Sequence, residues 1–209
     1  MALDNKKMIE ILHNIAEQVE AEKAFLTELD TAIGDGDHGI NLARGFQAVD
    51  KKLEQLGDTA DIGSILKAAG MQLVATVGGA SGPLYGTAFM KAGGACQGKT
   101  ELDAAGFLTM MDAAIGGVKM RGKATTGEKT MLDALCPAYE ALKEALESGD
   151  ELKPAMDKAV IAAEKGVEYT KTIIATKGRA SYLGERSLEH QDPGATSSLL
   201  MLRVIADNL

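Results

Sequence analysis

The stretch Asp30-Thr-Ala-Ile-Gly34-Asp35-Gly36-Asp37-His38-Gly39 packs three carboxylates and three glycines into ten residues. Glycine admits left-handed turns, so such a loop can fold back and aim its carboxylates at one point. Converging carboxylates repel one another unless a cation sits among them, and an all-oxygen donor set suits a hard ion such as Mg²⁺ or Ca²⁺. Asp30, Asp35 and Asp37 are therefore candidate ligands of a divalent metal. An EF-hand loop counted from Asp35 would put Gly39 and Phe46 where acidic ligands are needed, which excludes that motif. A polar helix-capping turn is the alternative that this stretch alone leaves open.

The elements that must position this loop are helical. Apolar residues recur at helical spacing from Met8, Ile11, Leu12, Ile15 and Val19 and again through Leu42, Phe46, Val49, Leu53 and Leu56. Further helices are expected over about residues 61–77, 83–97, 101–119, 128–148, 152–177 and 195–208, with Asp4 and Thr100 as caps and Pro83 and Pro154 in first turns. No alternating β-branched run competes. The expectation is an all-α single domain over residues 1–209, an antiparallel barrel or bundle of eight helices in which alternate loops share an end.

Sorted by that rule, three loops are plain: Gly57-Asp58-Thr59-Ala60, Gly98-Lys99 and Ser148-Gly149-Asp150. The other four are not. They are the acidic loop, Gly78-Gly79-Ala80-Ser81-Gly82-Pro83, Met120-Arg121-Gly122-Lys123-Ala124-Thr125-Thr126-Gly127, and the long segment from Lys177-Gly178-Arg179 to Gln191-Asp192-Pro193-Gly194. All four fall on one end, where the second, fourth and eighth helices also begin. Free N–H groups and positive dipole ends there can face an anionic ligand, and a nucleotide held with metal fits that description. Ordinary helix termination explains each glycine-rich turn singly, but not their shared end.

Several features are set aside on the same grounds. Gly93-Gly-Ala-Cys-Gln-Gly98-Lys99-Thr100 matches a phosphate-binding loop pattern, but no hydrophobic strand precedes it and it belongs to the opposite end. A formal charge of −8 without any Lys/Arg cluster argues against nucleic acid. No apolar run approaches the ~20 residues that cross a bilayer, and the first residues lack the apolar stretch of a signal peptide, so a cytoplasmic protein is expected. Cys96 and Cys136 read as buried free thiols. His13 lies within a helix and reads as structural. Arg179 can pair with a phosphate or stack on a base, and Met131 can contact a purine.

Asp30 with Gly34 to Gly39, Val77 to Gly86, Arg121 to Ala124 with Lys129-Thr130-Met131, and Gly178 to Ser187 with Asp192 to Ala195 together resemble the nucleotide-binding L subunits of dihydroxyacetone kinases. The resemblance runs over essentially the whole chain. It implies an eight-helix barrel with ADP and two Mg²⁺ ions at one rim, the metals held by Asp30, Asp35 and Asp37. It further implies nucleotide contacts from His38, Gly39, Ile40, Asn41, Ala80, Ser81, Gly122, Thr130, Met131, Arg179, Asp192, Pro193 and Gly194. Glu189 departs from the pattern, since a small residue such as glycine is expected before His190.

Within this family the domain is either fused behind a substrate-binding domain in ATP-dependent kinases or kept as a separate chain in phosphotransferase-system kinases. The short segment before the first helix resembles the separate kind. That resemblance implies a retained ADP, rephosphorylated by a phosphohistidine carrier M subunit and used to phosphorylate dihydroxyacetone on a histidine of the K subunit. No nucleophile or general base is then expected here. Two alternatives remain, a nucleotide-binding subunit of an ATP-dependent triose or ketose kinase, and a nucleotide-sensing regulator whose partner is a transcription factor.

Overall fold

The computed structural model describes residues 3–56 and 60–209. Helices α1 (Asn5–Ala21), α2 (Lys23–Ile33), α3 (His38–Leu56), α4 (Ile62–Thr76), α5 (Ser81–Ala95), α6 (Ala104–Gly122), α7 (Leu132–Glu147), α8 (Leu152–Thr170) and α9 (Pro193–Asp207) follow in order, with a 3-10 segment at Arg179–Ser187. Helix α1 packs on α3, each helix from α3 onward packs on the next, and α9 returns to α1, so the ring closes. If α1 and α2 are counted as one broken helix, this is the expected antiparallel eight-helix barrel. Phe46, Phe107, Leu12, Ile15, Leu42 and Leu73 are among its fully buried side chains. A wholly apolar hollow of about 100 Å³ remains inside. Among the described residues no helix is long and apolar enough to cross a membrane.

The differences from expectation are local. The first helix breaks at Glu22, whose N–H reaches the carbonyls of Gln18 and Glu20, and α2 leans onto α3 and α9. Asp4 caps α1 through the Lys7 N–H as expected, but Asp103 rather than Thr100 caps α6, accepting from the Gly106 N–H. The intervening residues are drawn away because Glu101–Leu102 (β2) pairs antiparallel with Leu3–Asp4 (β1). Helix α8 stops at Thr170 and α7 starts only at Leu132, which lengthens both of their loops at the barrel end near the acidic turn. Of the loops read as plain, Gly57, Asp58 and Thr59 lie outside the described residues.

Helices α4 and α5 meet backbone to backbone. A Cβ on Gly70 would lie 2.6 Å from the Gly86 carbonyl and one on Gly86 2.8 Å from the Gly70 carbonyl; Gly63 and Gly93 repeat the pattern at 2.7 and 2.6 Å. The glycines recur every seven residues on both helices, two turns apart, which keeps them on one face. Their antiparallel hairpin carries Gly78–Ser81 at its tip. Gly70→Val should force the two helices apart and cost about 1–3 kcal/mol, read as a lowered urea midpoint; a midpoint equal to wild type would contradict this packing.

Candidate functional site

The four polar loops meet at one end of the barrel around a cavity of about 360 Å³. Its walls are the acidic turn after α2, the Gly78–Ser81 turn before α5, the end of α6 with the Ala124–Leu132 segment, Lys177–Ala180, and the first residues of α9. The segment matching a phosphate-loop pattern lies at the far end of α5, a 15-residue helix and so ~22 Å long. The Gly98 N–H there donates to Asp61, which caps α4, so that turn is structural.

The acidic turn is built as its composition suggests. Asp30 stands in the last turn of α2, and a Cβ on Gly34 would collide with its Oδ1 at 2.0 Å, so glycine makes room for the carboxylate. Gly36 takes φ +71°, the left-handed turn that swings Asp37 back. Asp30 Oδ2 accepts from the N–H groups of Asp37 and His38 at 2.9 and 3.2 Å, which fixes its orientation. One oxygen each from Asp30, Asp35 and Asp37 then lie within 4.8 Å of one another. This all-oxygen cluster at the cavity wall fits a hard divalent cation. The Arg179 guanidinium sits 2.8 Å from Asp35 Oδ2.

Behind the Gly78–Ser81 turn lies a buried chain of hydroxyls centred on His38. Its Nδ1 is 3.0 Å from Ser81 Oγ and its Nε2 2.9 Å from Ser197 Oγ. Ser197 Oγ is 2.7 Å from the Tyr85 hydroxyl, which also lies 2.9 Å from Ser198 Oγ. Burial lowers the His38 pKa against the pull of Asp30 and Asp37, which favours the neutral ring. Burial likewise pushes the Tyr85 phenol up to about 12, so it stays protonated.

On the opposite wall, Lys129 is 1% exposed and adopts φ +61°, a costly conformation for a side chain with a Cβ. Its ammonium donates to the carbonyls of Thr170 and His190, both at 2.5 Å, and more weakly to Ile173 at 3.4 Å. Burial lowers its pKa, while Asp192 and Asp133 pull it upward. Asp133 accepts from the N–H groups of Gly127 and Thr130, which closes the turn before α7. Glu189 holds φ +67° and donates its N–H to the Lys171 carbonyl at 2.8 Å. That backbone explains why a glycine is the expected residue there.

Asp30, Asp35, Asp37, His38, Ala80, Ser81, Gly122, Thr130, Met131, Arg179, Asp192, Pro193 and Gly194 all line the cavity. Gly39, Ile40 and Asn41 do not. A Cβ on Gly39 would meet the Lys23 carbonyl at 2.1 Å, so this residue serves the close approach of α3 to α2. Ile40 is half-exposed in a shallow outer groove with Lys23, Thr27 and Thr31. Asn41 is buried behind the Gly78 turn and accepts from Arg44 at 2.6 Å. The sequence reading missed Lys129 as a buried clamp, Asp133, and the pair Tyr85 and Ser197. Lys129 and Tyr85 fall inside the quoted motifs without a role of their own, Asp133 acts within its own turn through the Gly127 and Thr130 N–H groups, and Ser197 is placed by contacts remote in sequence.

Residues 32–207 match the DAK2 domain. The chain is 44% identical to the ADP-binding subunit DhaL of the PEP-dependent dihydroxyacetone kinase of Escherichia coli, over 99% of this chain and 98% of that one. It belongs to the DAK2 domain family of dihydroxyacetone kinase subunits. The PTS-dependent ADP-binding subunit of Lactococcus lactis is 40% identical over 95% of both chains. Human triokinase/FMN cyclase is 34% identical over 98% of this DAK2 chain, which spans 35% of that protein. The crystal structure of the dihydroxyacetone kinase of C. freundii in complex with AMP-PNP and Mg²⁺ superposes with a TM-score of 0.75 at 23% identity, covering this whole chain and 35% of that one, which shows the shared fold.

Asp192 supplies a pH test of this geometry. Its side chain caps α9 through the Ala195 N–H, yet burial outweighs that bond and, with Asp133 nearby, lifts its pKa to about 7. The folded state therefore holds a proton that the unfolded chain releases near pH 4. Stability from this group is complete below that point and is lost as pH rises through about 7. In ligand-free protein, Asp192→Asn should flatten the fall of the urea midpoint between pH 4.5 and 7.5. Equal slopes in variant and wild type would refute the assignment.

Proposed function

We propose that this chain is the ADP-binding subunit of a PEP-dependent dihydroxyacetone kinase, working between a phosphohistidine carrier M subunit and a dihydroxyacetone-binding K subunit. The observation that carries the reading is the Asp30, Asp35 and Asp37 cluster at the wall of a cavity onto which α5 and α9 open their N-termini. The full-length relatives support it, being named as ADP-binding subunits of such kinases.

When bound, ADP with two Mg²⁺ ions would supply the phosphoryl relay and the positive charge that offsets the phosphates. The chain's own residues would hold and enclose this group. Asp30, Asp35 and Asp37 would be the metal ligands. The N–H groups of Ser81 and Gly82 at the start of α5, with the Ser81 hydroxyl, would meet the phosphates, since N–H groups at a helix start favour anions. Met131 gives an apolar wall for the base, and Arg179 reaches the rim as a cation. Every titratable group on these walls is either a metal ligand, already engaged in holding the fold, or cationic. The chain therefore positions the reactants and supplies no nucleophile.

The test is reconstitution. The chain alone should make no dihydroxyacetone phosphate. Adding the K subunit and a carrier charged from phosphoenolpyruvate should start turnover, with ADP needed only in amounts comparable to this chain. Sustained turnover on free ATP with the K subunit alone would instead establish the second reading, a subunit of an ATP-dependent triose kinase, which the 34% identity to triokinase favours.

A further inference from the structure

Ser81 is the one side-chain hydroxyl in the Gly78–Ser81 turn, and its rotation decides whether it offers the cavity a proton or a lone pair. A serine hydroxyl at a helix start rotates freely unless a neighbour fixes it. Here the neighbour is His38 Nδ1, at 3.0 Å. The imidazole is in turn fixed from behind by Ser197 Oγ at 2.9 Å from Nε2, and Ser197 is fixed by the Tyr85 hydroxyl at 2.7 Å. Neither Tyr85 nor Ser197 lines the cavity. Both are buried, on α5 and α9.

We infer that Tyr85 and Ser197 are positioning residues for the nucleotide phosphates, acting through the His38 ring on the hydroxyl of Ser81. The argument is geometric. Nδ1 and Nε2 belong to one rigid ring, so whatever holds Nε2 also sets the plane and place of Nδ1. Each hydroxyl carries a single proton, so once one bond in the series takes a direction its neighbours are constrained to follow. Three residues far apart in sequence thus control one hydroxyl. Removing Ser197 leaves Nε2 without its hydroxyl partner, so the ring can tilt toward its backbone partner at Pro193 or change which nitrogen bears the proton. Tyr85→Phe keeps the packing volume and removes the hydroxyl that joins Ser197, Ser198 and the Gly194 carbonyl, leaving Ser197 with the Gly194 carbonyl at 3.2 Å.

This inference rests on the ADP-binding reading, and two measurements separate the fates of the two. The first uses nucleotide-free protein labelled with ¹⁵N-histidine, the His38 signals being assigned by their loss in His38→Gln. Ser197→Ala should shift the Nδ1 resonance as well as Nε2, and Tyr85→Phe should move both in the same direction by less. The second is calorimetric titration with ADP and Mg²⁺. Ser197→Ala should weaken binding roughly tenfold and Tyr85→Phe several-fold, as expected for an anion-facing hydrogen bond lost or misdirected. The double variant Ser81→Ala/Ser197→Ala should bind no more weakly than Ser81→Ala, because the effect passes through Ser81. Wild-type affinity in folded Ser197→Ala and Tyr85→Phe, or losses that multiply in the double variant, would overturn the inference. If wild type itself fails to bind ADP, the functional reading falls. The ring spectra then still decide the chain of hydroxyls, and an unmoved Nδ1 in both variants would sink it.

Discussion

Replacing Asp35 or Asp37 with alanine is expected to abolish retention of ADP while leaving the helices folded. Both carboxylates sit on a surface turn whose backbone is set by Gly34 and Gly36, so neither removal opens the core. Binding responds differently. Each charged contact is worth roughly 1.5–3 kcal/mol, and losing one of the three proposed ligands would also loosen the cation shared by the other two. An affinity loss on the order of a hundredfold or more should appear in calorimetric titration with ADP and Mg²⁺, beside an unchanged far-ultraviolet circular dichroism spectrum. Unchanged affinity in both variants would remove the metal from the reading. Lys99→Ala, at the opposite end, should bind as wild type does.

Lys129→Met should cause the largest loss of stability. The substitution keeps an unbranched apolar side chain of similar reach and deletes one ammonium. The carbonyls of Thr170 and His190, at the end of α8 and just before α9, then lose a shared charged donor in a buried place. Each abandoned group costs about 1–3 kcal/mol, so with two of them a destabilisation on the order of 2–6 kcal/mol is expected. For a chain of this length that is a fall in Tm of roughly 4–24 °C. The damage should centre on the segment between these helices, read as faster amide exchange at residues 171–191. A variant with wild-type Tm and exchange would show that the clamp holds nothing.

What could be read from the residues alone follows from the range of each interaction. The acidic turn was legible because its carboxylates and the glycines that aim them lie within eight residues of one another. The gathering of the polar loops at one end was legible because antiparallel helices alternate their ends. The break at Glu22 was not, since neither proline nor glycine marks it. Thr100 lost its capping role to Asp103 because a two-residue strand pairing with Leu3–Asp4, remote in sequence, pulled that segment out of the helix. His38 and Ser197 stand 159 positions apart, and Lys129 reaches carbonyls 41 and 61 positions away. No local pattern encodes such partners. Ile40 shows the converse: a place inside a motif next to the site did not place its side chain in the cavity.

The glycine seam between α4 and α5 makes the two helices a single strut. Most helix contacts are adjustable, because a bulky side chain on one helix can be traded for a smaller one on its neighbour. At Gly63, Gly70, Gly86 and Gly93 no smaller residue exists, and the opposing atoms include main-chain carbonyls that no substitution alters. Tolerance at these positions therefore runs in one direction, and a change there has no side-chain remedy across the seam. The tip of the strut inherits this rigidity: the placing of the Gly78–Ser81 turn is a property of the main chain. Residues of the turn can be exchanged to alter what the cavity recognises without shifting the mount on which they are carried.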